Sequence, residues 1–279
     1  MTLSHPDFVA GQYRDTPNLE ARIVLHRRFS TGEKPLPRWI FEQLDLPADA
    51  RILEIGCGPG PLGSENEERI PDGWTMTLTD ASPGMVGEAR ERLGPDRRMA
   101  FRVAGVRDIP LSDGAFDASI ANHILRHVPA RPRAFSEVAR VLSPGGCLYA
   151  ATDGGGHMRE LGPMRHILDP SHPPDAATRD LMASAWRTGL RNYSHSGSWR
   201  SPCAATKTRS SSRKPRPSWS TCSPARRRTP SGGRAREGWP GGLAGRAAML
   251  GKLLDEQLAE RGAFRITKDS GLFVVRRPR

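Results

Sequence analysis

The stretch Arg51–Gly60, RILEIGCGPG, decides how the chain is read. Ile52, Leu53 and Ile55 supply the continuous apolar run of a strand covered on both faces, ending next to an acid, Glu54. Gly56, Gly58 and Gly60 then allow a sharp turn and a close approach of backbone to a bound molecule. A helix is expected to follow from Leu62 to Ile70. Such a turn lies at the carboxyl end of a strand, where open α/β sheets take their ligands. The dinucleotide fingerprint GxGxxG needs a third glycine where this chain has Pro61, so that pattern fails; the spacing here is GxGxG.

Outward from this turn the same alternation repeats. Trp74–Thr79, WTMTLT, alternates like a strand and ends at Asp80, 20 residues past Gly60. A carboxylate at that strand end can accept hydrogen bonds from both hydroxyls of a ribose. Ser82 reads as an N-cap, Pro83 as the first helical residue and Gly94 as the stop. Third, fourth and fifth strands are expected at Ala100–Val103, Phe116–Ala121 and Cys147–Ala151, with a helix near Pro132–Leu142 closed by a turn at Ser143–Gly146. Strands alternating with helices imply an α/β, doubly wound, mostly parallel sheet.

Four stretches together, RILEIGCGPG, LTDASPGM (78–85), DIPLSDGAFDASIANHILRHVP (108–129) and RVLSPGG (140–146), resemble the successive motifs of class I S-adenosylmethionine-dependent methyltransferases. The likeness is to the branch related to quinone-biosynthesis methyltransferases, and it covers roughly residues 12–165 plus 261–275. It implies a Rossmann-like fold with a late antiparallel strand, S-adenosylmethionine as cofactor, and a small-molecule methyl acceptor. It also implies site residues. Glu54, Gly56, Cys57, Gly58 and Gly60 would hold the methionine part; Asp80 and Ala81 the ribose; Met85, Gly105 and Val106 the adenine; Asn122 would face the methionine end. Gly105 stands where the family usually has Asp, which leaves adenine recognition there to the backbone.

His123 and His127, four apart after the fourth strand, are the catalytic candidates, as a general base for a hydroxyl or enol nucleophile. As an HxxxH pair they lack a third ligand at suitable spacing, so no metal is expected. His157, Met158 and Arg159 are candidates for the acceptor side, within residues 153–190.

The organisation expected is an N-terminal helical cap (1–46), a cofactor-binding core (47–190), a basic low-complexity segment without fixed structure (191–242), and a C-terminal helix and β-hairpin completing the sheet (243–279). Within the last part, Leu250–Ala259 reads as an amphipathic helix, Phe264–Thr267 and Leu272–Val275 as strands, and Lys268–Gly271 as their turn. The net charge of +12 resides almost wholly in residues 191–240, which hold 12 Lys/Arg against the single acid Glu237. The near-neutral remainder speaks against an RNA or DNA methyltransferase, the rival reading. A second rival is a cofactor-binding protein whose activity is lost through the altered C-terminal part. Four scattered cysteines, no apolar h-region at the N-terminus and no membrane-length apolar run lead to an expectation of a cytoplasmic protein.

Between Leu190 and Leu243 there is no Leu, Ile, Val, Met or Phe. That composition cannot bury enough apolar surface to offset its ordering entropy. It also reads as the product of a shifted frame in a GC-rich gene. Codons for Gly197–Pro224 can be chosen so that one shifted frame gives ELAEPLRRYEDALVVTEAEALVVDVLS, which has a strand-like alternation, an acidic helix start and a likeness to the family at this place. Without that strand, the Leu272–Val275 strand is expected to become an exposed sheet edge, with lower stability. The gene sequence is expected to show a compensating shift before about Leu243, where ordinary patterning resumes; related genes carrying the same basic segment in an intact frame would refute the frame reading.

Overall fold

The computed structural model describes Val24 and residues 28–128, 131–154, 156–169, 206–209 and 242–279. Seven strands form one sheet in the order β3-β2-β1-β4-β5-β7-β6. They are β1 (Arg51–Ile55), β2 (Thr75–Asp80), β3 (Met99–Val103), β4 (Phe116–Asn122), β5 (Leu142–Asp153), β6 (Thr206–Arg209) and β7 (Asp269–Arg276). The first five are parallel; β7 runs antiparallel to β5, and β6 antiparallel to β7. This is the doubly wound, mostly parallel sheet that the alternation predicts, with the late antiparallel strand that the resemblance implies.

The centre of the sheet is β1, flanked in register by β2 (Glu54 opposite Leu78) and β4 (Glu54 opposite Ile120). Because side chains alternate across a strand, β1 feeds two cores. Ile52 packs on one face with Met76, Leu78, Ile120, Trp74 and Leu93. Leu53 and Ile55 pack on the other with Ala121, Leu148, Phe135 and Val138. A strand buried on both faces needs a near-continuous apolar sequence, which is why RILEI is legible.

The helices of this part are α1 (Leu36–Phe41), α2 (Pro61–Ser64), α3 (Pro83–Leu93) and α4 (Arg131–Val141). In α3 the Ser82 Oγ accepts the Met85 N–H at 3.4 Å, Pro83 opens the first turn and Gly94 closes it. Helix α4 buries Ala134, Phe135, Val138 and Val141, a stripe at helical spacing. Its Arg140 pins the loop before β4, donating to the carbonyls of Leu111 (2.8 Å) and Ile109 (2.8 Å) while paired with Glu137 and Asp113.

Several expectations need correction. The helix expected over Leu62–Ile70 is only the four-residue α2 followed by a 3-10 turn at Glu67–Arg69, because Gly63 packs under Leu93 and Asn66 turns back to donate to the Leu62 carbonyl at 2.8 Å. Of the N-terminal helical cap expected over residues 1–46, only α1 and short helical pieces at Val24 and 28–29 are described; Gly32 and Pro35 interrupt it before Leu36, and residues 1–23 and 25–27 lie outside the described residues. Ser143–Gly146 is an insertion within β5, which skips from Leu142 opposite Phe116 to Cys147 opposite Ala118. Phe264–Thr267 form no strand, so there is no C-terminal hairpin; residues 268–271, expected as a turn, mostly extend β7, which begins at Asp269. Nor is the start of β7 an open edge, since Asp269–Leu272 pair with β6. That strand falls within the segment expected to lack structure; the rest of residues 191–241, and with it the frame reading, lies outside the described residues.

A second compact unit takes in residues 158–176 and 211–267. Its described part is α5 (Leu161–Leu168), α6 (Gly242–Arg261) and the chain to Thr267. Helix α6 begins eight residues before the amphipathic stretch that predicts it. Glu160 holds this unit together by accepting from the Thr267 N–H (2.8 Å) and Oγ1–H (2.6 Å). Between α5 and α6 lies a cavity of about 520 Å³ lined by Met164, Ile167, Leu250, Leu253, Leu254 and Phe264, among others. No helix among the described residues is long and apolar enough to cross a membrane.

The Arg140 anchor has a measurable pH signature. Bonding to Arg140 and the Ile109 N–H at 2.9 Å lowers the Glu137 carboxyl to about 2. A depressed carboxyl stabilises the fold above its unfolded value and loses that contribution as pH falls toward the folded value. Arg140→Ala is expected to cost about 1–3 kcal/mol at pH 7 in denaturant titration. It should also remove part of the stability loss of the parent protein between the unfolded value, 4.5, and about 2; a variant as stable as the parent at pH 7 contradicts the anchor.

Candidate functional site

The site is built where β1 and β2 end. Gly56, Gly58 and Gly60 all adopt left-handed φ, at +67°, +53° and +73°. L side chains pay for that conformation, so glycine is required here by the backbone itself. The surroundings differ between the three. A Cβ on Gly56 would collide with the Ile124 side chain, and one on Gly60 would crowd Leu93 and Ala89. A Cβ on Gly58 would meet nothing within 4 Å. Gly56 and Gly60 therefore serve packing, while Gly58 presents bare backbone to open space.

Asp80, at the end of β2, holds the turn in place. Its Oδ2 accepts the Gly58 N–H at 3.0 Å and its Oδ1 accepts the Ser82 N–H at 2.9 Å. The Cys57 N–H donates to the Thr79 carbonyl at 2.9 Å, a second tie between the turn and β2. Burial raises the Asp80 carboxyl above its ordinary value, and the bonds from Ser82 and Gly58 oppose that rise. The Cys57 thiol is buried and pushed upward by that burial, so it is no nucleophile.

Glu54 is 1% exposed, and its Oε2 has no hydrogen-bond partner among the described residues. Burial, reinforced by the charge of Asp80, raises its carboxyl to about 8. One strand over, the Oδ1 of Asn122, last residue of β4, is also buried without a partner. Two buried acceptors at the ends of adjacent strands call for a hydrogen-bond donor. A cationic donor also lets Glu54 ionise.

The remaining sequence candidates take these places. Ala81 is exposed beside Asp80, and Met85 is buried in the first turn of α3. Gly105 pairs with Asp108 in an isolated bridge just after β3, and Val106 is buried in the core behind β1. His127 lies in a 3-10 turn (Leu125–His127) with its N–H on the Ile124 carbonyl at 2.9 Å. His123 follows β4 directly with φ +58°, its N–H on the Ala151 carbonyl at 2.9 Å.

The structure joins His123 to a residue the sequence reading passed over. The His123 Nδ1 lies 3.2 Å from Oδ1 of Asp153, the last residue of β5. His157 Nε2 lies 3.6 Å from the same oxygen. Asp153 belongs to no motif, yet an acid closing a strand beside β4 is the same signal that marks Asp80. Arg159 is exposed and paired with Glu160, and Met158 donates its N–H to the Thr267 carbonyl, both in the second unit. Among the described residues no group of three or more His, Cys, Asp or Glu could hold a metal ion.

Comparison with known proteins agrees with this geometry. Residues 53–150 match the family model described as a methyltransferase domain. The chain is 32% identical over 167 residues to trans-aconitate 2-methyltransferase of Methylobacterium nodulans, covering 60% of this chain and 62% of that protein. It is 37% identical over 116 residues to ubiquinone biosynthesis O-methyltransferase of Xanthomonas oryzae, covering 41% of this chain and 47% of that one. The chain thus spans about half to three-fifths of the length of these curated relatives. Among solved structures, the S-adenosylmethionine-dependent methyltransferase of Mesorhizobium loti superposes with a TM-score of 0.52 at 19% identity, covering 88% of this chain and all of that one. Residues 53–150 are thus similar to methyltransferase domains of this family.

Proposed function

We propose that this protein binds S-adenosylmethionine across the carboxyl ends of β1, β2 and β4 and passes its methyl group to a small molecule. The carrying observation is the pair of unsatisfied buried acceptors, Glu54 Oε2 and Asn122 Oδ1, beside the open backbone at Gly58. An α-ammonium group satisfies both acceptors and supplies the positive charge that lets Glu54 ionise. Asp80, already a strand-end acceptor, suits the ribose hydroxyls. Backbone groups at Gly105 and Val106, with Ala81 and Met85 nearby in sequence to Asp80, are left for the adenine.

When bound, the cofactor supplies a methyl group already activated on a sulfonium. The protein then has to orient the acceptor, exclude water and take up any proton released. The relatives named above act on trans-aconitate and in ubiquinone biosynthesis, which supports a small acceptor rather than a nucleic acid. Buried, unbridged Cys57 and Cys147 support a reducing compartment, in keeping with a cytoplasmic enzyme.

Calorimetry with S-adenosylhomocysteine tests the binding site. Asp80→Ala or Gly58→Val is expected to weaken binding at least tenfold; unchanged affinity in both would refute the site. Glu54 gives a second readout. With its carboxyl at about 8 when the site is free, it is protonated at pH 7, and it must lose that proton to pair with an ammonium. Binding should therefore release close to one proton at pH 7 and tighten as pH rises to about 8. Glu54→Gln should lose that release.

A further inference from the structure

We infer that Asp153 and His157 position His123 to take the proton of the methyl acceptor, which is therefore a hydroxyl, phenol or enol rather than a carboxylate. This deepens the methyltransferase reading and rests on it.

The cluster leaves one basic lone pair. Asp153 is 4% exposed, and a carboxylate buried so deeply needs donors. Three side chains converge on its Oδ1: His123 Nδ1 at 3.2 Å, Ser270 Oγ at 3.5 Å and His157 Nε2 at 3.6 Å. The Asp269 N–H donates to His157 Nδ1 at 3.3 Å. That bond makes Nδ1 the acceptor of a neutral His157, so its proton sits on Nε2, facing Asp153. His123 Nδ1 lies 3.2 Å from the same carboxylate oxygen, which places its proton there, toward the negative charge. Its Nε2 has no hydrogen-bond partner among the described residues and keeps a free lone pair.

The backbone puts that lone pair at the proposed site. His123 directly follows Asn122, and its neighbour Ile124 is the side chain that packs on Gly56. A left-handed φ of +58° in a residue with a Cβ is a strained state that surrounding structure must enforce. Here it is enforced by the N–H bond to the Ala151 carbonyl and by Asp153, both on β5. A buried carboxylate holding one imidazole nitrogen, with the other free, is the arrangement of a general base.

The step balances. The acceptor O–H bond breaks and its proton goes to His123 Nε2. The oxygen lone pair forms the new bond to the methyl carbon, and the electron pair of the broken carbon–sulfur bond leaves with sulfur as a neutral thioether. Asp153 stabilises the resulting imidazolium. A carboxylate acceptor is ionised already and would leave this base without a task.

The test combines 15N spectra of the histidine rings, calorimetry with S-adenosylhomocysteine, and turnover on catechol, 3,4-dihydroxybenzoate and trans-aconitate, using the full chain. His123 should show the Nδ1–H tautomer, and Asp153→Asn should erase that preference. His123→Gln and Asp153→Asn should each lower transfer to the hydroxyl of catechol or 3,4-dihydroxybenzoate by about 100-fold or more. The double variant should be little worse, since the pair acts as a unit. Affinity for S-adenosylhomocysteine should stay within about threefold, which also shows that the variants fold. An Nε2–H tautomer in the parent protein, full turnover in Asp153→Asn, or transfer to trans-aconitate alone would overturn the inference. So would no transfer to either hydroxyl compound by a parent protein that binds S-adenosylhomocysteine. A parent protein that does not bind it overturns the methyltransferase reading instead, and this inference with it.

Discussion

Two hydrogen bonds accepted by one carboxylate hold the candidate site together. Asp80 accepts from Gly58 in the turn after β1 and from Ser82 at the cap of α3, so the ends of two parallel strands and the start of a helix share one anchor. The turn it fixes runs through three left-handed glycines in five residues. Backbone of that kind is costly in most contexts and is kept only where its surroundings define it. Here the definition comes from the sheet: β1 is locked between β2 and β4 and buried on both faces, so the place where the turn must begin does not vary.

That rigidity makes the unsatisfied groups informative. Glu54 is the one acid in a strand of otherwise apolar burial, and a buried carboxylate with an empty oxygen is destabilising by itself. Stability alone would favour an apolar residue at this position. A group that costs stability, sits at a strand end and is relieved by a cation is what a binding site for a charged ligand requires. The same reasoning holds for Asn122 on the next strand. The carboxylate that ends β5 and the two histidines that follow β4 and β5 extend the proposed site along the same strand ends. The proposed cofactor site and the His123 nitrogen thus lie at the same ends of adjacent strands.

How much of this was legible in the sequence follows from what each feature depends on. Strands β1, β4 and β5 were readable because double-sided burial forces apolar runs, as in RILEI and LYAAT, and β2 was readable from its alternation. Helix α3 was readable because its signals are local: Ser82, Pro83 and Gly94 each act through the adjacent backbone. Helix α2 was over-extended, since its early end depends on Leu93 packing over Gly63, a contact between distant residues. The C-terminal hairpin was misjudged for a similar reason. Thr267 is taken up by hydrogen bonds to Glu160, 107 residues away, and this holds Phe264–Thr267 out of the sheet. In the site, Glu54, the glycines and Asp80 stand in one motif and its sequel, whereas Asp153 becomes visible only when β5 is laid beside β4.

The central claim is that a nucleoside with an amino-acid tail lies over Gly58, with its ammonium at Glu54 and Asn122 and its sugar at Asp80. A crystal structure of the protein soaked with S-adenosylhomocysteine measures this directly. The account predicts both ribose hydroxyls within hydrogen-bonding distance of the Asp80 carboxylate and the ammonium within reach of Glu54 Oε2. A ligand seated elsewhere, or one whose ribose leaves Asp80 bonded only to Gly58 and Ser82, would contradict it.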